Sequence, residues 1–490
     1  MRTTTIFSLL VLLLLITSQG IVMSNFRVKL FAISPVEYMK QSSVTYNDGY
    51  NHIQIIGKHW VMNETLTVSS TDIVEIINST LDFSNVDTDS GLIVNYGTLI
   101  INNSRIISDL SKDYTYAVKS EGNLTVINSS FENKKLLVDF NKRTVITIYA
   151  ILQQNQATVF YGNYFENYTS AFKVDNAKVE VIHNNTFVNC PFGIEIFASN
   201  LIISNNTFIN SIAAGISGSG PNVTVQNNYL FNDRNLLQTD VDLFGDITKG
   251  IDISGSQNHI INNTIINTFK SIVTFDSDHV IVERNRIDTT GATEGEIQAE
   301  GSDYLVYRNN YITNQWDSIE IYNCRHLLIE GNYIENGVTA IRVERVDEYG
   351  GVDPLNVTIQ YNIVTNSGFI GIEHGINVKI QHNVLNSTDI KLTENTVNAI
   401  VYNNTVYKGN IILFDSKNIF ISNNHIKSSI IGVIQLRCQN VTLSNNMILG
   451  FGEIVPIPDI LLGIDLFIIT LAIIIIIALS VILIKRRRKR

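Results

Sequence analysis

One short unit recurs along most of this chain: an apolar run, one or two asparagines, then another apolar residue two places on. It reads VIHNNTF at 181–187, LIISNNTF at 201–208, LVYRNNYI at 305–312, VTIQYNIV at 357–364 and VTLSNNMI at 441–448. The second residue of each pair serves as a marker. The clear markers are Asn163, Asn185, Asn206, Asn228, Asn263, Asn285, Asn310, Asn332, Asn362, Asn383, Asn404, Asn424 and Asn446. Weaker copies fall at Ser79, Ser104 and Ser129. Successive markers lie 20 to 22 residues apart, except for steps of 35, 25 and 30 after Asn228, Asn285 and Asn332. Self-similarity at a fixed short period marks a solenoid. Between markers runs a second alternating segment, such as GIEIF (193–197), GIDIS (250–254), SIEIY (318–322) and AIRVE (340–344). Alternation sends every second side chain inward, so these are strands. A unit of about 22 residues holding two or three such strands has no room for a useful helix.

The arrangement that satisfies this pattern is all-β: a single-stranded right-handed parallel β-helix solenoid of about sixteen turns. Each strand pairs with its equivalent one turn on, at about 4.8 Å, which makes a rod of roughly 75 Å. The 74 isoleucines suit a narrow interior, because β-branched residues pack well on pleated surfaces. The 57 asparagines suit the corners, because Asn tolerates left-handed backbone and stacks into hydrogen-bonded ladders. Only 6 prolines occur, as a ladder that needs every N–H demands. The solenoid is expected over 70–450, with 24–69 as an N-terminal cap. A chain of 490 residues then needs only one elongated domain, since a solenoid grows by adding turns.

The two ends read as targeting segments. Residues 1–23 carry Arg2, the apolar run Phe7 to Ile16 and small or polar residues up to Gly20, the layout of a signal peptide. Residues 466–484 are 19 uncharged residues, enough to span a bilayer as a transmembrane helix. They follow a juxtamembrane linker at 451–465 and end in the basic tail 485–490, which places that side in the cytoplasm. The expected location is the cell membrane, single-pass, with the body outside. The net charge is −10 for the whole chain and −16 for 24–459. So acidic a body is no partner for nucleic acid. Three cysteines cannot make a disulfide scaffold, and Cys324 and Cys438 fall five turns apart, too far to pair.

These turns resemble the parallel β-helix repeats of the pectate lyase superfold, and in particular the NosD-type carbohydrate-binding or sugar-hydrolysis repeats. The resemblance covers about 70–450. It implies an extracellular or cell-envelope polysaccharide partner, bound or processed at the cell surface by a lyase or hydrolase if by any enzyme. The same fold serves structural or adhesive stalks without catalytic activity. The NosD resemblance also implies a copper-maturation alternative, which would call for clustered His, Met or Cys; only 5 Met and 3 Cys are present.

Enzymes of this fold place their catalytic groups on an outward strand face. Aligning the GIEIF-type segments gives an outward column of Lys173, Glu195, Ser217, Asp252, Val273, Gln298, Glu320, Arg342, Glu373, Lys391, Ile412 and Ile434. Glu320, Arg342, Glu373 and Lys391 alternate in sign and are the catalytic candidates. Alternation has two explanations: opposite charges stabilise neighbouring strands, or the column is a glycan groove. Repeat insertions gather on binding faces, and here they are Asp233–Lys249 and Val346–Leu355. Trp316, Tyr322, Tyr349, Arg325 and Glu344 are the carbohydrate-binding candidates. The relatives' Asp-Asp element is absent; the nearest matches to their other elements are Glu373-His374-Gly375 and His425-Ile426-Lys427. No metal cluster is evident. Asp240, Asp242 and Asp246 offer oxygens that suit calcium, without EF-hand spacing. Glycosylation sequons occur at Asn63, Asn78, Asn102, Asn123, Asn128, Asn167, Asn184, Asn205, Asn222, Asn262, Asn356, Asn386, Asn403 and Asn440. Those inside the asparagine corners are expected to serve the ladders first.

Overall fold

A computed structural model describes residues 37–38, 52–89, 91–134, 138–139, 144–145, 147–154, 158–176, 179–233, 249–288, 295–349, 351–427 and 432–449. Each turn contributes three strands. Around Asn185 they are Val179–His183, Thr186–Val188 and Phe192–Phe197. Each pairs in parallel with its counterpart one turn on: Val181 with Ile202, Phe187 with Phe208, Ile194 with Ile216. The result is a parallel β-helix of about sixteen turns walled by three sheets, here called first, second and third in chain order within a turn.

The inward positions form one continuous core of Ile, Val, Leu and Phe. Like side chains stack on like. Phe131, Phe165, Phe187 and Phe208 make a pile with ring centroids 5.3, 5.1 and 4.7 Å apart. Burying each such ring stabilises the fold by about 1.5–3 kcal/mol.

The corner between the first and second sheets explains the asparagine pair. Its first member adopts left-handed backbone and is exposed: Asn184, Asn205 and Asn262 have φ of 60°, 54° and 55°. Asn visits that region at little cost, unlike most L-residues. The second member turns inward and is buried. There Asn185 Nδ2 and backbone N–H both donate to Asn206 Oδ1, at 3.0 and 2.9 Å. The same pair of bonds recurs turn after turn to Asn446. In the early turns serine hydroxyls accept instead: the Ser79 N–H donates to Ser104 Oγ, and the Ser104 N–H to Ser129 Oγ, both at 3.1 Å.

Parallel pairing already starts at Glu37–Tyr38 against Trp60–Val61 and at His52–Ile56 against Ile73–Ile77, inside the stretch expected to form a cap. Val138–Asp139 and Thr144–Val145 pair with each other in antiparallel fashion. Among the described residues the one helical element is the 3-10 turn Asp347–Tyr349, and no helix is long and apolar enough to cross a membrane. The expected signal, linker, span and tail (1–23, 451–465, 466–484, 485–490) lie outside the described residues. Cys190, Cys324 and Cys438 are free thiols, the first two buried.

Candidate functional site

The outward residues of the third sheet stack in the order Lys173, Glu195, Ser217, Asp252, Val273, Gln298, Glu320 and Arg342. Above Arg342 comes Gly371 rather than Glu373, and then Lys391, Ile412 and Ile434. The expected four-residue alternation is therefore corrected at Glu373. That residue stands one outward position further along its strand, in the column of Glu300, Tyr322 and Glu344. The physical reason is the pleat: a slip of two residues leaves every inward and outward assignment intact. Lys391 consequently has no carboxylate below it and lies over the Phe369 ring, 3.8 Å from its centroid.

Two carboxyl pairs now flank one guanidinium. The first is Asp317 with Glu320 on the strand Asp317–Tyr322. Both point outward, yet they are only 5 % and 6 % exposed. Arg342 on the next turn reaches Glu320 Oε1 at 3.5 Å and Asp317 Oδ1 at 4.0 Å. The second contact is an ion pair too long for a hydrogen bond, and Asp317 Oδ1 has no hydrogen-bond partner. Gln298, one turn below Glu320, is likewise buried with an unpartnered Oε1. The second pair is Glu344 with Glu373 on adjacent turns, like charges where a sheet face prefers unlike ones.

The electrostatics follow from this crowding. Burial pushes the Glu320 carboxyl up to about 7; its hydrogen bond to Asp317 and that residue's charge push the same way, while Tyr322 and Arg342 pull back. Burial also raises Glu344 to about 7, helped by Glu373 and opposed by Arg342. The Tyr322 phenol, which donates to Glu320, is held well above its ordinary value by burial and by that carboxyl. Burial works against the Arg342 charge, but Asp317, Glu320 and Glu344 raise its pKa overall. Carboxylic acids that keep a proton near neutrality are the form a general acid needs.

The rim is built from the insertion after the strand Thr339–Glu344. Asn323 pins it: Oδ1 accepts the N–H groups of Val346 (2.9 Å) and Val352 (3.1 Å), and Nδ2 donates to the Val346 carbonyl at 3.1 Å. Arg345 ties it to itself through Asp347 at 2.6 Å and Asp353 at 3.0 Å. Tyr349 closes the 3-10 turn of this insertion. Trp316, immediately before Asp317, is 50 % exposed. Arg325 is not brought into the cluster; it starts the first-sheet strand Arg325–Glu330, between Asp303 and Leu355. Asp240, Asp242 and Asp246 lie outside the described residues. Among the described residues no three His, Cys, Asp or Glu side chains are grouped as metal ligands. The role of Asp317 was not readable from the alternating column, because it sits at the strand's entry, before the alternation begins.

The family model described as "Right handed beta helix region" matches residues 65–230 and 249–406. No curated protein matches the sequence. Three solved structures illustrate the structural likeness. The surface protein and adhesin PfbA of Streptococcus pneumoniae is 13 % identical, covering 83 % of this chain and 91 % of its own, with a TM-score of 0.30. A double mutant of the periplasmic alginate epimerase AlgG is 11 % identical, covering 79 % and 78 %, with a TM-score of 0.35. A hyperthermoactive exopolygalacturonase from Thermotoga maritima is 11 % identical, covering 82 % and 84 %, with a TM-score of 0.30.

Proposed function

We propose that this chain, which belongs to the right-handed β-helix family, binds an extracellular polysaccharide along the outer face of its third sheet and processes it there. The observation that carries this reading is the double carboxyl pair around Arg342. Glu320, crowded by Asp317, and Glu344, crowded by Glu373, are each raised to about 7 on an outward face. A purely structural face would avoid stacking Glu344 on Glu373. In this reading Glu320 and Glu344 are the acid/base candidates, Arg342 and Tyr322 orient sugar hydroxyls, and Trp316 offers a ring face. An excess of acids over Arg342, on a body of net charge −16, favours neutral or amino sugars over polyuronates. Residues 1–23 and 466–484 would export and anchor the chain, and deleting 466–490 should release it to the medium.

The test is a glycan-array and cleavage screen with the full chain in detergent. The reading expects binding to a neutral or amino-sugar polymer, with new reducing ends or unsaturated products if the carboxyls act. Binding without products leaves an adhesive role. No binding to any glycan would leave a structural stalk. The ladder along the corner between the first and second sheets is what such a stalk also needs.

A further inference from the structure

At the corner between the first and second sheets the sequon asparagines and the buried-ladder asparagines are different residues, whereas at other corners sequon asparagines join outer ladders, as Asn440 does with Asn418 and Asn222 with Asn200. In each Asn-Asn-Thr unit the first Asn is the sequon acceptor and is exposed in left-handed backbone; the second is buried in the ladder. Six acceptors share the first corner: Asn78, Asn128, Asn184, Asn205, Asn262 and Asn403. Three more, Asn222, Asn356 and Asn440, sit at the corner between the third and first sheets. By contrast Asn102 and Asn386 end strands and are half-buried. No sequon acceptor lies in any described strand of the third sheet, and the two at its entry, Asn63 and Asn167, lie in early turns far from Glu320 and Arg342 in the chain. The first corner joins the first and second sheets, so it is the edge opposite the third. Sequons also stop between Asn262 and Asn356, the turns that carry Asp317, Glu320, Arg342 and Glu344.

We propose that the first corner is an N-glycosylated edge, whose oligosaccharides project away from the third sheet and leave its outer face open. This rests on the outward topology given above. The step joins Asn Nδ2 to the anomeric carbon of a polyprenyl-phosphate-linked oligosaccharide. The carbon–oxygen bond to phosphate breaks and the lipid phosphate leaves with the electron pair. Nδ2 gives up one proton and keeps the other. At Asn403 and Asn205, Nδ2 contacts Nδ1 of His382 and His183 at 2.8 and 3.3 Å, and the retained proton can still serve that contact. Asn184 and Asn205 occupy consecutive turns, one strand spacing of about 4.8 Å apart. Two branched oligosaccharides cannot leave so narrow a spacing, so one molecule carries a glycan at one of the two.

The experiment is glycopeptide mass spectrometry on the full chain made in a secretory host, with surface protease shaving in parallel. Glycans are expected at the first-corner acceptors, with one and never two on an undigested peptide spanning 184–205. Tyr311→Thr creates a sequon at the exposed, left-handed Asn309 and should add one glycan, whereas Tyr311→Phe should add none. Occupancy centred on Asn102 and Asn386, or two glycans on the 184–205 peptide, would overturn the proposal. A displayed but unglycosylated chain would overturn it and leave the outward topology standing. A chain neither displayed nor glycosylated would overturn both.

Discussion

Replacing Asn332 with alanine should uncouple the buried ladder in the turn that carries the candidate site. Asn332 Oδ1 accepts the backbone N–H of Asn310 at 2.9 Å and its Nδ2 at 3.0 Å. Its own Nδ2 donates to the Tyr307 carbonyl at 2.9 Å and to Asn362 Oδ1 at 3.0 Å. Two neighbours keep other partners after truncation, since Asn310 Nδ2 still reaches the Val282 carbonyl and Asn362 Oδ1 still receives the backbone N–H of position 332. The Asn310 N–H and the Tyr307 carbonyl each lose a bond in a buried place. A buried group left unpaired costs about 1–3 kcal/mol, so alanine should destabilise by about 2–6 kcal/mol. Asn332→Ser supplies a hydroxyl acceptor, as Ser104 does for the Ser79 N–H, and should cost roughly half as much. Urea unfolding followed by circular dichroism gives the total, and hydrogen exchange at the Asn310 amide gives the local effect. An alanine variant within about 0.5 kcal/mol of the parent, or a serine variant no better than alanine, would refute the ladder argument.

Glu320→Gln tests the charge cluster through pH. The folded carboxyl titrates near 7 against an ordinary 4.5, so the fold binds its proton more tightly. That stabilisation is complete below about pH 4.5 and is lost as pH rises through 7. Glutamine should therefore raise stability at pH 8 by on the order of 1–3 kcal/mol and give no gain at pH 4.5; melting curves with a pH-independent offset would sink the assignment. Phe187→Ala opens a gap between Phe165 and Phe208, and should cost about 3–5 kcal/mol in urea unfolding, against less than 1 kcal/mol for an exposed replacement such as Tyr229→Ala. Burial pushes the thiols of Cys190 and Cys324 up to about 12, so the folded chain should resist iodoacetamide at these two at pH 8 and take it up in urea. Equal labelling in both states would contradict their burial.

The sequence made the solenoid readable because its two signals, the period near 22 and the alternation within strands, are each set by local physics. The asparagine pair even marked the corner, though not which member faces water. The expectation that sequon asparagines serve the ladder first divides by corner: Asn440 and Asn222 bond to Asn418 and Asn200, whereas Asn184 stays outside and its neighbour Asn185 makes the buried ladder. Register was harder to read. Ile341 and Val343 pair with Ile370 and Ile372, so Arg342 faces Gly371. Pairing Arg342 with Glu373 keeps the same alternation, and only the turn preceding Phe369 decides between them. The cluster was partly visible, since Glu320 and Arg342 do meet. Asp317 and the Glu344–Glu373 contact depend on burial and register, which alternation does not encode.

If the third sheet's outer face takes the ligand, as proposed, binding must depend on that face and on no other. The most direct measurement compares binding isotherms of the full chain, on whichever polysaccharide the screen selects, for the parent, Trp316→Ala, Glu344→Gln and the second-sheet control Tyr333→Ala. Trp316 is exposed, and Tyr333 stacks on Tyr311 on a different face. Trp316→Ala and Glu344→Gln should each lose at least about tenfold in affinity, near 1.4 kcal/mol, and the control should not change. Equal affinities across all four proteins, or a loss confined to Tyr333→Ala, would contradict it.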